Sequence, residues 1–184
     1  MDQILLDECN KLGMMNSSSM SSSIISAISG CTSSEEANTK FYTALCKYIE
    51  ENAKVYYSWS ATMAPPLSTP DPQVILECGI KTSGVLKPSG ETTPEGALSK
   101  LSQDLNQGIS MWEVIWPTGF SINPAYIIPT ITITQSKATN QRDAWESVCQ
   151  EIINGLKKAT PGPIIGTHGE YQIATPGATF IQIQ

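Results

Sequence analysis

Residues 33–63, SSEEANTKFYTALCKYIEENAKVYYSWSATM, place a helix and a strand back to back with no breaker between them. Ser33 and Glu36 have capping-box spacing, and Phe41, Leu45, Tyr48, Ile49 and Ala53 recur at helical intervals. From Val55 the period changes to two: Val55, Tyr57, Trp59, Ala61 and Met63 alternate with Tyr56, Ser58, Ser60 and Thr62. Each element has one apolar side, and both sides must be covered by the same core. That juxtaposition predicts an α+β fold, with two or three amphipathic helices on a mostly antiparallel sheet.

The rest of the chain supplies the missing layers. Pro65, Pro66, Pro70 and Pro72 force a loop, after which Val74, Leu76, Cys78 and Ile80 read as a second strand antiparallel to the first. Thr93-Pro94-Glu95 opens a helix carrying Leu98, Leu101, Leu105 and Ile109. MWEVIWPTGF and AYIIPTITITQ read as strands, the second put at an edge or bulge by Pro129. A last helix spans about Asn140 to Ala159, with Trp145, Val148, Cys149, Ile152 and Leu156 on one face, and Pro161 ends it. GATFIQIQ, with Ile181 and Ile183 alternating with glutamines, is expected to close a sheet within the chain or across to a neighbour. Sliding the chain by 103 residues lays CKYIEENAK on CQEIINGLK, a faint helix-loop-strand repeat relating 41–81 to 144–184.

Ahead of this domain (33–184) lies a stretch, 1–32, read as an arm. It has a short amphipathic start and then MMNSSSMSSSIISAISGCTSS, a Ser-rich tract that is expected to be mobile alone and ordered on a neighbour. Asp2, Asp7 and Glu8 stand where a signal peptide needs positive charge, so synthesis and retention in a cytosol are expected. No window approaches the roughly 18 uncharged apolar residues of a membrane span.

Composition narrows function by exclusion. Charged residues are only 15%, the net charge is −6, and Arg142 is the only arginine, which disfavours direct nucleic-acid binding. Cys9, Cys31, Cys46, Cys78 and Cys149 lack C-x-x-C spacing and read as small buried hydrophobes. Asp2, Asp7, Asp71, Asp104 and Asp143 are scattered, so no metal ligand set and no cofactor is expected. Gly162, Gly166, Gly169 and Gly177 fit no phosphate-binding fingerprint and read as turn residues. The pairs Glu35/Glu36 and Glu50/Glu51 read as a helix start and a solvated face rather than as catalytic acids. Trp112 and Trp116, flanking Glu113, suit packing better than a sugar platform. His168, the only histidine, would have to serve any His-dependent nucleophile, and no G-x-S-x-G elbow accompanies it.

Two classes of function remain. One is a non-enzymatic subunit of a symmetric assembly. The other is a small intracellular hydrolase or ligand-binding domain using His168. The lack of convergent catalytic residues favours the first. In that reading, copies of the chain meet through Leu5, Met14, Met15, Ile24, Ile25 and Ile28 of the arm, through Trp112, Trp116 and Tyr126, and through the closing-strand residues Ile181 and Ile183. Deleting residues 1–30 is then expected to abolish assembly and spare the core.

KFYTALCKYIEENAKVYYSWSA with its Pro-rich loop and strand, and AWESVCQEIINGLKKATPGPIIGTHGEYQIATPG, resemble virion structural proteins of tailed bacteriophages, of the neck, tail or baseplate type. The resemblance implies α+β modules that assemble as rings or decorate a capsid or tail. Their partners would be copies of themselves and neighbouring virion proteins, and no catalytic residues carry over. It places the chain in a virion made in the host cytoplasm. Small tail-completion proteins often carry more charge than this chain, which keeps a capsid-decorating (cement) role open.

Overall fold

The computed structural model describes residues 15–59, 62–63, 74–82, 94–109, 111–118, 120–122, 127–134, 138–161, 166–168, 171–173 and 178–184, in several strands by backbone alone. Leu5, Met14, Tyr126 and Cys9 lie outside the described residues. The fold is α+β, as the helix-strand alternation predicts.

The first described element is a helix, α1 (Ser17–Ile28), where the sequence reading put an arm ordered on a neighbour. Asn16 caps it, its side chain accepting from the Ser19 amide at 3.0 Å. Met20 and Ile24 are fully buried and Met15 nearly so, because α1 packs on the two long helices described next. The Tyr48 hydroxyl accepts from the Asn16 amide at 2.9 Å and donates to its carbonyl at 3.1 Å, tying the helix start to the core. Burial of Met20 and Ile24 contributes about 2 kcal/mol each. Most of the serines lie on the exposed and half-buried faces around this stripe, and the buried Ser21 hydroxyl donates to the Ser18 carbonyl, which is why a low-complexity tract folds here. Gly30, at φ +79°, makes the left-handed turn that ends the segment.

Helix α2 (Ser34–Asn52) starts where Ser33 and Glu36 predict. The Ser33 hydroxyl accepts from the Glu36 amide at 3.1 Å, and the Glu36 carboxylate reaches back to the Thr32 amide, one residue upstream of a standard capping box. The hydrogen bond from Lys40, then that from the Thr32 amide, hold the Glu36 carboxyl below its ordinary range. Phe41, Tyr42, Leu45, Cys46, Tyr48 and Ile49 form its buried face. Helix α3 (Pro94–Ile109) buries Leu105 and Ile109, and helix α4 (Gln141–Lys157) buries Val148, Cys149, Ile152, Ile153 and Leu156. Asn140 caps α4 by accepting from the Asp143 amide at 2.9 Å.

Four strands form the main antiparallel sheet. They are β1 (Val55–Trp59), β3 (Val74–Lys81), β4 (Glu113–Ile115) and β10 (Ala178–Ile183), in the order β10-β1-β3-β4. Val55 and Tyr57 of β1 join Leu76, Cys78 and Ile80 of β3 in the helix-facing core. Glu77 instead meets Lys54 at 3.5 Å. A second sheet collects β2 (Thr62–Met63), β5 (Phe120–Ile122), β8 (Gly166–His168) and β9 (Tyr171–Ile173) in the order β2-β9-β8-β5. Short strands β6 (Ile127–Ile128) and β7 (Thr160–Pro161) pair with each other. The strands matched by the 103-residue offset, β3 and β10, flank β1 on opposite sides and both run antiparallel to it.

The segment after β6 corrects the sequence reading. Thr130 to Thr134 has the expected alternation, with Ile131 and Ile133 buried and the threonines exposed, yet it joins no ladder. It runs as an extended strap between α3 and α4. On one edge, Asn106 of α3 brackets Ile131, accepting from its amide at 2.8 Å and donating to its carbonyl at 2.7 Å, and the Ser102 hydroxyl accepts from the Ile133 amide at 2.9 Å. On the other edge, the Gly155 carbonyl of α4 accepts from the Thr130 amide at 3.3 Å, and Glu151 accepts from the Thr134 amide at 2.9 Å and its hydroxyl at 2.6 Å. Both helices thus contribute i and i+4 positions to a strand, each replacing a neighbouring ladder. Gly155 makes the close approach feasible, since a Cβ there would stand 2.6 Å from the Ile131 Cα and 2.9 Å from the Thr130 carbonyl oxygen.

Candidate functional site

The main sheet has two outer strands among the described residues, β10 and β4. At β4 the alternation turns Val114 inward, opposite Ile80, and leaves Ile115 on the outer side. The cross-strand partner of Ile115 is Gly79, which offers no side chain to cover it. Ile115 is therefore 50% exposed, and Met111, just before the strand, is 61% exposed. Natural sheet edges are usually blunted by charge, proline or a covering element. Here a strand whose outer row of backbone groups has no ladder partner among the described residues carries Ile115, with Met111 just ahead of it and Glu113 set against Lys81 between them. Its chemistry is that of β-strand addition, with the ladder giving affinity and the side chains giving selectivity.

The structure sorts the residues that the sequence assigned to an interface. Met15, Ile24, Trp112 and Ile183 are buried in the core of this chain, each at most 4% exposed. Ile25 and Ile28 are half-buried, Ile28 against that core. Trp116 is also half-buried, its ring 4.7 Å from that of Tyr57 and inclined by 37°. Trp112, Val114 and Trp116 share one parity and face inward, which explains why the tryptophans pack and why Ile115, of opposite parity, does not. Ile181 lies in β10, where only its backbone is described. Because α1 is part of the core, the 1–30 deletion would remove structure along with any contact it makes.

The chemistry-bearing candidates that the structure describes lie in separate places. His168 ends β8, its backbone paired with Phe120 and Tyr171. Among the described residues no group of three or more His, Cys, Asp or Glu is arranged to hold a metal ion. Cys46, Cys78 and Cys149 are buried free thiols, and Cys31 is half-buried. Burial pushes the Cys78 and Cys149 thiols up to about 12, and raises that of Cys46, which removes nucleophilic thiolate at neutral pH. Asp104, on the inner side of α3, is a buried carboxylate paired with Lys100 one turn earlier. Burial, and then the nearby Asp104 charge, raises the Tyr42 phenol. A groove of about 270 Å³ runs along α3 between Leu98, Ser99 and Gln103 and the strap residues Thr132 and Ile133. Its base is formed by Ser102 and Asn106, both already bonded to the strap.

Sequence reasoning passed over Met111 and Ile115, and weighed Asp104 only as one of five scattered aspartates. Ile115 carries a signal that parity alone would have exposed, being opposite in phase to Trp112, Val114 and Trp116. Asp104 carries one in its i, i+4 spacing from Lys100.

No protein-family model, curated protein or solved structure matches this chain. Among the described residues, no helix is long and apolar enough to cross a membrane.

Proposed function

We propose that this chain is a non-enzymatic structural subunit of a symmetric assembly, of the kind that builds tailed-bacteriophage virions. The observation that carries the reading is the β4 edge, an outer strand among the described residues, with Ile115 exposed on it and Met111 exposed just before it. Its partners are further copies of the chain and neighbouring virion proteins, joined by strand addition at that edge. The low charge content, 15%, suits a surface that is covered in assembly. The net charge of −6 disfavours nucleic acid as a direct ligand.

Sedimentation velocity of the wild type beside Ile115→Lys and Met111→Lys tests this reading. Each lysine replaces apolar surface by a charge that must be desolvated on pairing, so association weakens more than about tenfold. Unchanged sedimentation in both variants overturns the β4 assignment.

A further inference from the structure

Helix α1 packs on both α2 and α4, which also meet through the rings of Phe41 and Trp145, 5.5 Å apart, whereas the principal close backbone approach of α3 is to β6, which leads into the strap. The strap's hydrogen bonds divide by strength as well as by side. Toward α3 there are three at 2.7 to 2.9 Å, all partly buried. Toward α4 there is one long bond, 3.3 Å to the Gly155 carbonyl, and a pair to the Glu151 carboxylate that is exposed to water. Solvent competes for the exposed pair and hardly for the buried set. The weaker boundary thus lies between the strap and α4.

We infer that α3 and the strap 130–134 form one detachable unit, a two-sided latch that leaves α4 in a single step while α1, α2 and α4 stay packed. Opening breaks no sheet ladder among the described residues and leaves α1 packed on α2 and α4. It uncovers Ile131 and Ile133 from the strap and the inner side of α3 at Leu105 and Ile109. The inference is independent of the assembly reading, because it concerns motion within one chain.

Native-state hydrogen exchange on the full chain, followed residue by residue at low denaturant, tests it. The amides of Ile131, Ile133, Leu105 and Ile109 are expected to share one opening isotherm below that of α1 and α2. Glu151→Gln, which weakens the α4 side alone, is expected to speed exchange at all four together by about fivefold to tenfold and to leave α1 and α2 unchanged. Asn106→Ala is expected to split the isotherm, with the strap amides exchanging faster than those of α3. The inference is overturned if the strap and α3 open separately in the wild type. It is also overturned if both exchange only with α1 and α2, or if Glu151→Gln accelerates Thr134 alone.

Discussion

Gly155→Ala sets two effects of opposite sign against each other at one position. In an ordinary helix interior, alanine is better than glycine by about 1 kcal/mol. In α4, the new Cβ would stand 2.5 Å from Ile131 Cγ1, 2.6 Å from Ile131 Cα and 2.9 Å from the Thr130 carbonyl oxygen. Two of those three atoms are backbone, so no rotamer change relieves the contact, and the strap must retreat by roughly 1 Å to reach ordinary van der Waals distance. Retreat stretches the Thr130 bond to Gly155 and tilts the strap against the bonds that Asn106 and Ser102 make to it. Overpacking costs about 1–3 kcal/mol, and the disturbed hydrogen bonds cost roughly 1 kcal/mol each. The net expectation is a loss of about 2–3 kcal/mol, or roughly 5–10 °C in melting temperature for a chain of this size. Urea unfolding followed by tryptophan fluorescence measures it, with Asn154→Ala, at an exposed neighbouring position, as the control. A Gly155→Ala protein as stable as the wild type, or more stable, would refute the close approach of strap and helix.

Two further predictions follow from burial. Ile24→Ala is expected to cost about 2–4 kcal/mol in the same urea assay, because Ile24 is fully enclosed between α1 and its neighbours, and a cost below about 1 kcal/mol would return α1 to the status of an arm. Of the four described cysteines, only Cys31 is expected to react promptly with a thiol reagent at pH 8. Cys78 and Cys149, with thiols held near 12 by burial, should wait for unfolding, and prompt labelling of either by mass spectrometry contradicts their placement.

What the sequence made legible was whatever local periodicity and capping chemistry determine. Ser33 with Glu36 and the face from Phe41 to Ile49 define α2, and the switch to period two at Val55 marks β1. Other features depended on partners distant in sequence. The Thr-Ile alternation at 130–134 specifies an extended backbone with one buried side, but it does not say what satisfies the amides. Side chains of Ser102, Asn106 and Glu151 do so, 17 to 31 residues away. The Ser-rich tract was misread for a different reason. Its composition suggested disorder, while Met20 and Ile24, one turn apart behind the Asn16 cap, already outlined a narrow helix stripe. At the candidate site, the tryptophans drew attention as anchors because of their size. The exposed residues there are Met111 and Ile115, the latter set by parity and by a glycine across the sheet.

The central claim, that the chain assembles through its β4 edge, is most directly tested by light scattering over a concentration series for the wild type and Ile115→Lys. The account predicts a defined multiple of 19.9 kDa for the wild type and the single-chain mass for the variant at matched concentration. A wild type that stays at the single-chain mass throughout, or a variant that assembles as the wild type does, would contradict it.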